Sequence, residues 1–256
     1  MLKKWLSRFF RANTTPPALH CPICNNNPTA FLPLPAYFLE NTQRYGFPYM
    51  DVCEMVSLTT YLCPHCHASD RERLYAFWIK EQIAEKTFLE GSKLIHFAPE
   101  AGLSKQLRAL NFFDYVTADL TMIDADHQVD ITNMPFANDQ FDFFICSHVL
   151  EHVDSDDAAI SELYRILKKG GRGILVAPIV IGLEKTLEDP TITDDEERWR
   201  LFGQHDHVRL YAHDDYVHKI EQHGFSVAQL DEAYFGKSVL QSLGLKSTSI
   251  LYIVTK

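Results

Sequence analysis

Residues 130–153 read DITNMPFANDQFDFFICSHVLEHV, and the fold follows from them. Phe141 to Ser147 (FDFFICS) is an apolar run too short for a helix of its own, entered at Asp142 and closed by Ser147 and His148. A parallel strand covered by helices on both faces reads this way, nearly continuous in apolar residues. Ahead of it, MPFANDQ carries Pro135, Asn138 and Asp139, which favour a turn. Behind it, SDDAAISELYRILKKGG has helix signals at both ends. Asp156 and Asp157 sit in the first turn, Ile160, Leu163 and Leu167 share a stripe, and Lys168 to Gly171 close it. GILVAP then supplies a second buried strand. Strand, helix and strand make a right-handed βαβ unit, and ligands bind such sheets beyond the carboxyl ends of the strands. Ser147 and His148 lie at such an end.

The pattern D-x-x-x-M-P-F-x-x-x-x-F-D-x-x-x-x-S-H-V-L-E-H-V in this stretch resembles the central segment of the type 11 methyltransferases, which depend on S-adenosylmethionine. The order of elements from Leu94 to Lys256 is similar too. The resemblance implies an α/β fold: a Rossmann-like, seven-stranded methyltransferase sheet whose last strand is antiparallel, here over residues 93–256. It also implies where the cofactor binds. In the family the first strand ends in an acid and a glycine-rich turn, roughly D-x-G-x-G-x-G. LIHFAPEAG places His96, Ala98 and Glu100 at the acid and the first two glycines, and only Gly102 is retained. Glu100, at the start of a helix, is expected to supply the carboxylate that His96 lacks and to meet the cofactor's ammonium group. Asp130 matches the position that takes the adenine amine, and Ile131 the one that packs on the ring. Ser147 and His148 complete the cofactor set.

Tyr115 to Leu120 (YVTADL) reads as the second strand. Its Asp119 follows Gly102 at about the spacing of glycine turn and ribose-binding acid in dinucleotide folds, so it is expected to accept both ribose hydroxyls, with Leu120 beside it.

A net charge of −10 disfavours tight binding to a phosphate backbone, so nucleic acid is not the expected partner. No apolar stretch approaches a membrane span. Residues 1–12 (MLKKWLSRFFRA) are basic and amphipathic without a secretory h-region, and with residues 13–19 form an N-terminal segment and linker. A helix packed on its own protein is the plainer expectation for them, and peripheral membrane contact the second. The expected location is cytoplasmic. Four of the six cysteines fall in two C-P-x-C pairs, Cys21/Cys24 and Cys63/Cys66, which resemble zinc knuckles able to close a tetrahedral S4 site. Residues 20–69 are therefore expected to form a zinc ribbon with a few short strands and a structural zinc. Residues 70–92 should be a linking helix, with Arg71 and Arg73 on a solvated face and substrate contact the lesser alternative.

After Pro178, residues 182–212 exceed what the fold needs between its fifth and sixth strands, and are expected to be a substrate lid. Its GQHDHVRLY segment crowds unlike polar groups together. For an acceptor that must lose a proton, His207 is the first candidate base and His152 the second. Glu151 and His152 are expected to organise the cofactor loop. A metal site of Glu151, His152 and a downstream histidine is a lesser alternative. The expected acceptor is a small molecule, saccharide or lipid-linked intermediate. The rivals are a ribosomal-RNA methyltransferase, which can share this architecture, and a non-catalytic binding protein whose degenerate first motif has lost the cofactor. Nothing in the sequence fixes the oligomeric state.

Overall fold

The computed structural model describes residues 17–256. The basic segment 1–12, with its expected membrane contact, lies outside the described residues. In chain order the elements begin with α1 (Ala36–Tyr45), α2 (Asp70–Ala84), β1 (Lys93–Phe97), α3 (Ala101–Leu110), β2 (Asp114–Asp119) and β3 (His127–Gln128). Then come β4 (Phe141–Ser147), α4 (Asp156–Ile166), β5 (Leu167–Val176), β6 (Ile179–Val180), β7 (Leu187–Glu188) and α5 (Asp195–Phe202). β8 (Arg209–Ala212), α6 (His213–Gln222), β9 (Ser226–Leu230), α7 (Glu232–Phe235), α8 (Lys237–Ser242) and β10 (Leu251–Thr255) complete the chain.

Seven strands form one sheet in the order β3-β2-β1-β4-β5-β10-β9. Every pairing is parallel except those of β10, which runs antiparallel to both β5 and β9. β1 and β4 lie at the centre, and Leu94, Ile95, Phe143, Phe144 and Ile145 are fully buried there. At Gly173, opposite Phe144, a Cβ would come within 2.3 Å of the Phe144 ring, so the bulky strand demands a bare neighbour.

The expected helix over SDDAAISELYRILKKGG ends early. Ser155 caps α4, but Leu167 already pairs with Phe141, and the register slips between Phe141 and Phe143 while Gly170 turns at φ 77°. The lysines and glycines taken for a helix stop belong to a bulged strand entry.

Residues 20–69 also differ from expectation. Between the two knuckles stand α1 and one 3-10 turn, Met50–Val52, and pairing amounts to the isolated bridges Cys21↔Asn26, Leu32↔Leu62 and Cys53↔Val180. Pro28, Pro33, Pro35 and Pro48 remove ladder donors through this segment, whereas Leu39, Glu40, Gln43 and Arg44 are good helix formers. Its apolar side chains Ile23, Phe31 and Met55 join the same core as the large sheet.

Arg73 is fully buried, not solvated. Its guanidinium donates to the carbonyls of Thr60 (2.6 Å), Tyr61 (2.9 Å), Ala68 (2.9 Å) and, through Nε, Leu243 (2.7 Å), and it stacks over Phe31. Four carbonyls from both lobes are gathered by one side chain. Nearby, buried Glu54 accepts from Tyr252 Oη at 2.9 Å and faces His213 Nδ1 at 3.3 Å.

The insertion builds a second sheet in the order β6-β8-β7. Cys53 bridges to Val180 on its rim. Trp199 of α5 stacks on Tyr45 at 6.1 Å, and Phe47 fills the space beside Gly203, where φ is +83° and a Cβ would lie 2.9 Å from the ring. Phe47, Val180, Phe202 and Leu210 form a small core of their own. The acids Glu184, Asp194, Asp195 and Glu196 remain exposed. Glu188, also exposed, pairs with the buried Arg209 at 2.6 Å.

Candidate active site

Two cavities open beyond the carboxyl ends of β1, β2, β4 and β5. The larger, about 650 Å³, is lined by Phe97, Ala98, Asp119, Asp130, Ile131 and Val149, among others. The second, about 370 Å³, lies between the N-terminal lobe and the insertion, with Phe38, Phe47, Met50, Val56, Phe202 and Leu210 in its wall. His148, His152 and Asp206 line both. The two spaces therefore meet at three polar side chains.

The first cavity gathers two carboxylates and an apolar slot. Asp119 ends β2, where its Oδ1 accepts from the amides of Thr121 and Met122, both at 2.7 Å. That turn leaves Oδ2 without a partner among the described residues, in reach of a diol. Asp130 is held likewise, with Oδ1 accepting from Thr132 N at 2.8 Å and Oγ1 at 2.6 Å. Those bonds hold its carboxyl below the usual range. Ile131 is buried beside it, and Phe97, Ala118 and Val129 supply an apolar slot for a ring. Ala98, at the first glycine position, keeps the backbone that glycine would favour: φ is +46°, with its amide bonded to Ala118 O at 2.9 Å. The turn survives although the glycine does not. Leu120 also lines this cavity.

Four expected cofactor residues point elsewhere. His96 is fully buried, with Nδ1 2.9 Å from Tyr115 Oη and Nε2 2.9 Å from Glu100 Oε2. Glu100 thus faces inward, and its other oxygen stands 3.7 Å from Arg71 Nε. Burial alone would raise its pKa, but the hydrogen bond and charge of His96, with the Arg71 guanidinium, hold it at about 2. The carboxylate expected at the cofactor's ammonium is spent on a buried ion pair. Gly102 is a packing glycine: a Cβ there would meet Glu72 Oε1 at 3.1 Å and Ala68 and Ile23 at 3.6 Å, so α3 presses on the knuckles. Ser147 is buried and its hydroxyl shares a hydrogen bond of 3.1 Å with Tyr75 Oη.

At the junction the turn Leu150–Asp154 is held from the insertion. Arg209 donates to the carbonyls of Leu150, Val153 (2.6 Å) and Asp154 (3.1 Å), which satisfies a turn that no helix continues. This places Glu151, fully buried, against three imidazoles. Its Oε1 stands 3.3 Å from His148 Nδ1 and 3.9 Å from His152 Nε2. Burial opposes its charge, but His148, His207 and His152 together hold its pKa at about 2. His152 Nδ1 lies 3.4 Å from Asp206 Oδ2. Burial would lower the His152 pKa, yet Asp206 and Glu151 raise it. His207 is buried, which pushes its pKa down to about 4, and Nδ1 lies 3.1 Å from Phe202 O. A carbonyl only accepts, so Nδ1 carries the proton and Nε2 a lone pair. His148 itself has φ +56°, a costly conformation of the kind that functional sites retain.

Tyr61 was not expected here, and Arg71 only as the lesser alternative of a substrate contact. Arg71 lines the second cavity with its Nη1 donating to Tyr61 Oη at 2.9 Å. Neither is legible in sequence, since each acquires its place only when the knuckles dock.

The four knuckle sulfurs come together as well. Cys21 and Cys66 Sγ are 3.6 Å apart and Cys24 and Cys63 Sγ 3.8 Å, with all four within 4.8 Å of one another. Thiolates at about 2.3 Å from a zinc ion stand roughly 3.8 Å apart in a tetrahedron, so the donor set fits. The two turns repeat each other: Asn25 N bonds Cys21 O at 2.8 Å and His67 N bonds Cys63 O at 2.9 Å, with Asn25 at φ 57° and His67 at φ 58°.

Residues 91–175 match the family model described as a methyltransferase domain. A demethylmenaquinone methyltransferase of Streptomyces avermitilis is 46% identical over 46 residues, which cover 18% of this chain and 20% of that protein. The match thus spans about a fifth of that relative's length. An S-adenosylmethionine-dependent methyltransferase from Mesorhizobium loti is a structural neighbour with a TM-score of 0.44 and 12% identity, covering 69% of this chain and 97% of that one. Haemonchus contortus phosphoethanolamine N-methyltransferase 2, solved with S-adenosyl-L-methionine, gives 0.42 and 16%, covering 65% and 41%.

Proposed function

We propose that the protein transfers a methyl group from S-adenosylmethionine to a small-molecule acceptor with an apolar body and one polar end. The observation that carries this is the meeting of the two cavities at His148, His152 and Asp206, one with Asp119, Asp130 and Ile131 in its wall and the other with apolar side chains beside a polar cluster. Asp119 would hold the ribose hydroxyls, Asp130 the adenine amine, and Ile131 the ring face. When bound, the cofactor supplies an electrophilic sulfonium methyl group. Direct displacement there requires the acceptor atom in line at near-attack distance and water excluded. The insertion and the N-terminal lobe close over the second cavity from opposite sides, which suits both needs.

The wall of that cavity favours one part of the expected acceptor range. Phe38, Phe47, Met50 and Phe202 offer apolar contact in which the body of a mostly apolar molecule would bury well, beside the polar Tyr61, Arg71 and Gln204. Its polar end would lie toward Glu151, His152 and His207. Of the two candidate bases, His152 suits the task better than His207, because it alone of the pair faces both cavities. That reverses the order expected from sequence. The four cysteines would hold a structural zinc with no open position. A ribosomal-RNA acceptor is not favoured, given a net charge of −10.

Isothermal calorimetry with S-adenosylmethionine tests the proposal. Binding should be measurable, and Asp119→Ala should weaken it by about 1.5–3 kcal/mol, the scale of a hydrogen bond to a charged group. No heat of binding to the wild type would favour the non-catalytic rival.

A further inference from the structure

Methyl transfer alone leaves a set of buried atoms without a task. Neither carboxylate oxygen of Glu151 accepts a hydrogen bond among the described residues, and His207 Nε2 is likewise unpartnered. His148 Nδ1 is near Oε1, but off the geometry of a hydrogen bond. Glu151 is fully buried and His207 is 3% exposed, and both line the second cavity. A buried charge and a buried lone pair left this way are expensive and call for a partner.

The donor set says which partner. Glu151, His152 and His207 each offer one ligand atom, and these atoms lie within 4.8 Å of one another. Both imidazoles are held through the nitrogen that a metal would not use: His207 Nδ1 by Phe202 O at 3.1 Å, and His152 Nδ1 by Asp206 O at 3.3 Å. Metal-bound histidines are oriented by such bonds, which leave Nε2 for the ion. Two imidazoles and one carboxylate are a zinc-type set, with ligand atoms about 2.0–2.2 Å from the ion. His152, one-third exposed, has the freedom to close the remaining gap.

We infer that Glu151, His152 and His207 form a second metal site, for a divalent ion of the zinc type, separate from the four cysteines and open on its fourth side to the acceptor cavity. The identity of the open-side ligand rests on the methyl-transfer reading: it is an oxygen or nitrogen at the acceptor's polar end. On this inference both imidazoles serve as ligands of the ion, which supersedes the base role considered above for His152.

Metal content of the full-length chain tests this. After zinc loading and gel filtration, mass spectrometry should find about two zinc ions per wild-type chain and about one in Glu151→Gln and His207→Ala. Cobalt(II) titrated into wild-type chain that holds a single zinc should give d–d absorption without a thiolate charge-transfer band, a signature of nitrogen and oxygen ligands that needs no variant to fold. A wild type that saturates at one zinc and shows no such band overturns the site, as does unchanged stoichiometry in a folded His207→Ala. S-adenosylmethionine binding, measured on the same preparations, reads the methyl-transfer proposal separately. Failure of one leaves the other standing.

Discussion

His152 and His207 meet edge to face, with ring centroids 4.7 Å apart and planes at 83°, although one follows β4 and the other precedes β8. The insertion thereby supplies half of a polar cluster whose other half belongs to the sheet. His152→Ala should lower turnover by about 10²-fold or more, the range of acid–base and positioning groups, with a smaller effect on cofactor affinity. Single-turnover assays with calorimetry separate the two. Loss of affinity with turnover intact would move His152 to the cofactor alone.

Glu100→Gln should destabilise the protein rather than only weaken the cofactor. The carboxylate is paired with His96 and Arg71, and its pKa is depressed to about 2. A group depressed in the folded state contributes stability above its unfolded pKa, about 4.3, and loses it as pH falls toward the folded value. The melting-temperature gap between wild type and variant should therefore be widest near neutral pH and shrink between about pH 4.3 and 2. A gap that stays constant with pH would mean that the pair adds nothing.

Ala98→Gly should be tolerated. An L-residue in the left-handed region costs roughly 1–2 kcal/mol, and glycine gives back about 0.4–1 kcal/mol of that through the unfolded chain. A net gain of up to about 1 kcal/mol is expected in denaturant titrations, with cofactor affinity unchanged. Marked destabilisation would contradict φ +46° at this position.

Cys21→Ser should release the metal of the knuckles, read by mass spectrometry, and expose residues near Cys24 and Cys66 to proteolysis. Retention of that metal at full stoichiometry would remove the S4 site.

What was legible in sequence was local. Phe141–Ser147 announces itself because a strand buried on both faces must be apolar along its length, and β4 keeps those bounds. Asp119 was read from the end of its strand and Asp130 and Ile131 from the family resemblance, and all three line one cavity. Arg71 and Arg73 were misplaced on a solvated face because charge near a turn ordinarily means solvent. The carbonyls that bury Arg73 come from Thr60, Tyr61, Ala68 and Leu243, which no window of sequence brings together. Glu100 failed for a related reason: its partner His96 was read as a lost acid rather than as a counter-charge.

The same Arg73 has a consequence for how the molecule comes apart. One guanidinium closes hydrogen bonds on both sides of the boundary between the cysteine-bearing lobe and the sheet, at a site with no exposure. Neither side can loosen while the other persists without stranding a buried cation, at a cost of about 3–5 kcal/mol. Calorimetric melting should thus show a single transition in place of two, and amides around Leu243 should exchange with deuterium at the pace of those beside Cys63. A chain begun at residue 70 would not inherit a ready-made catalytic module, because the stub it starts with is the other lobe's keystone.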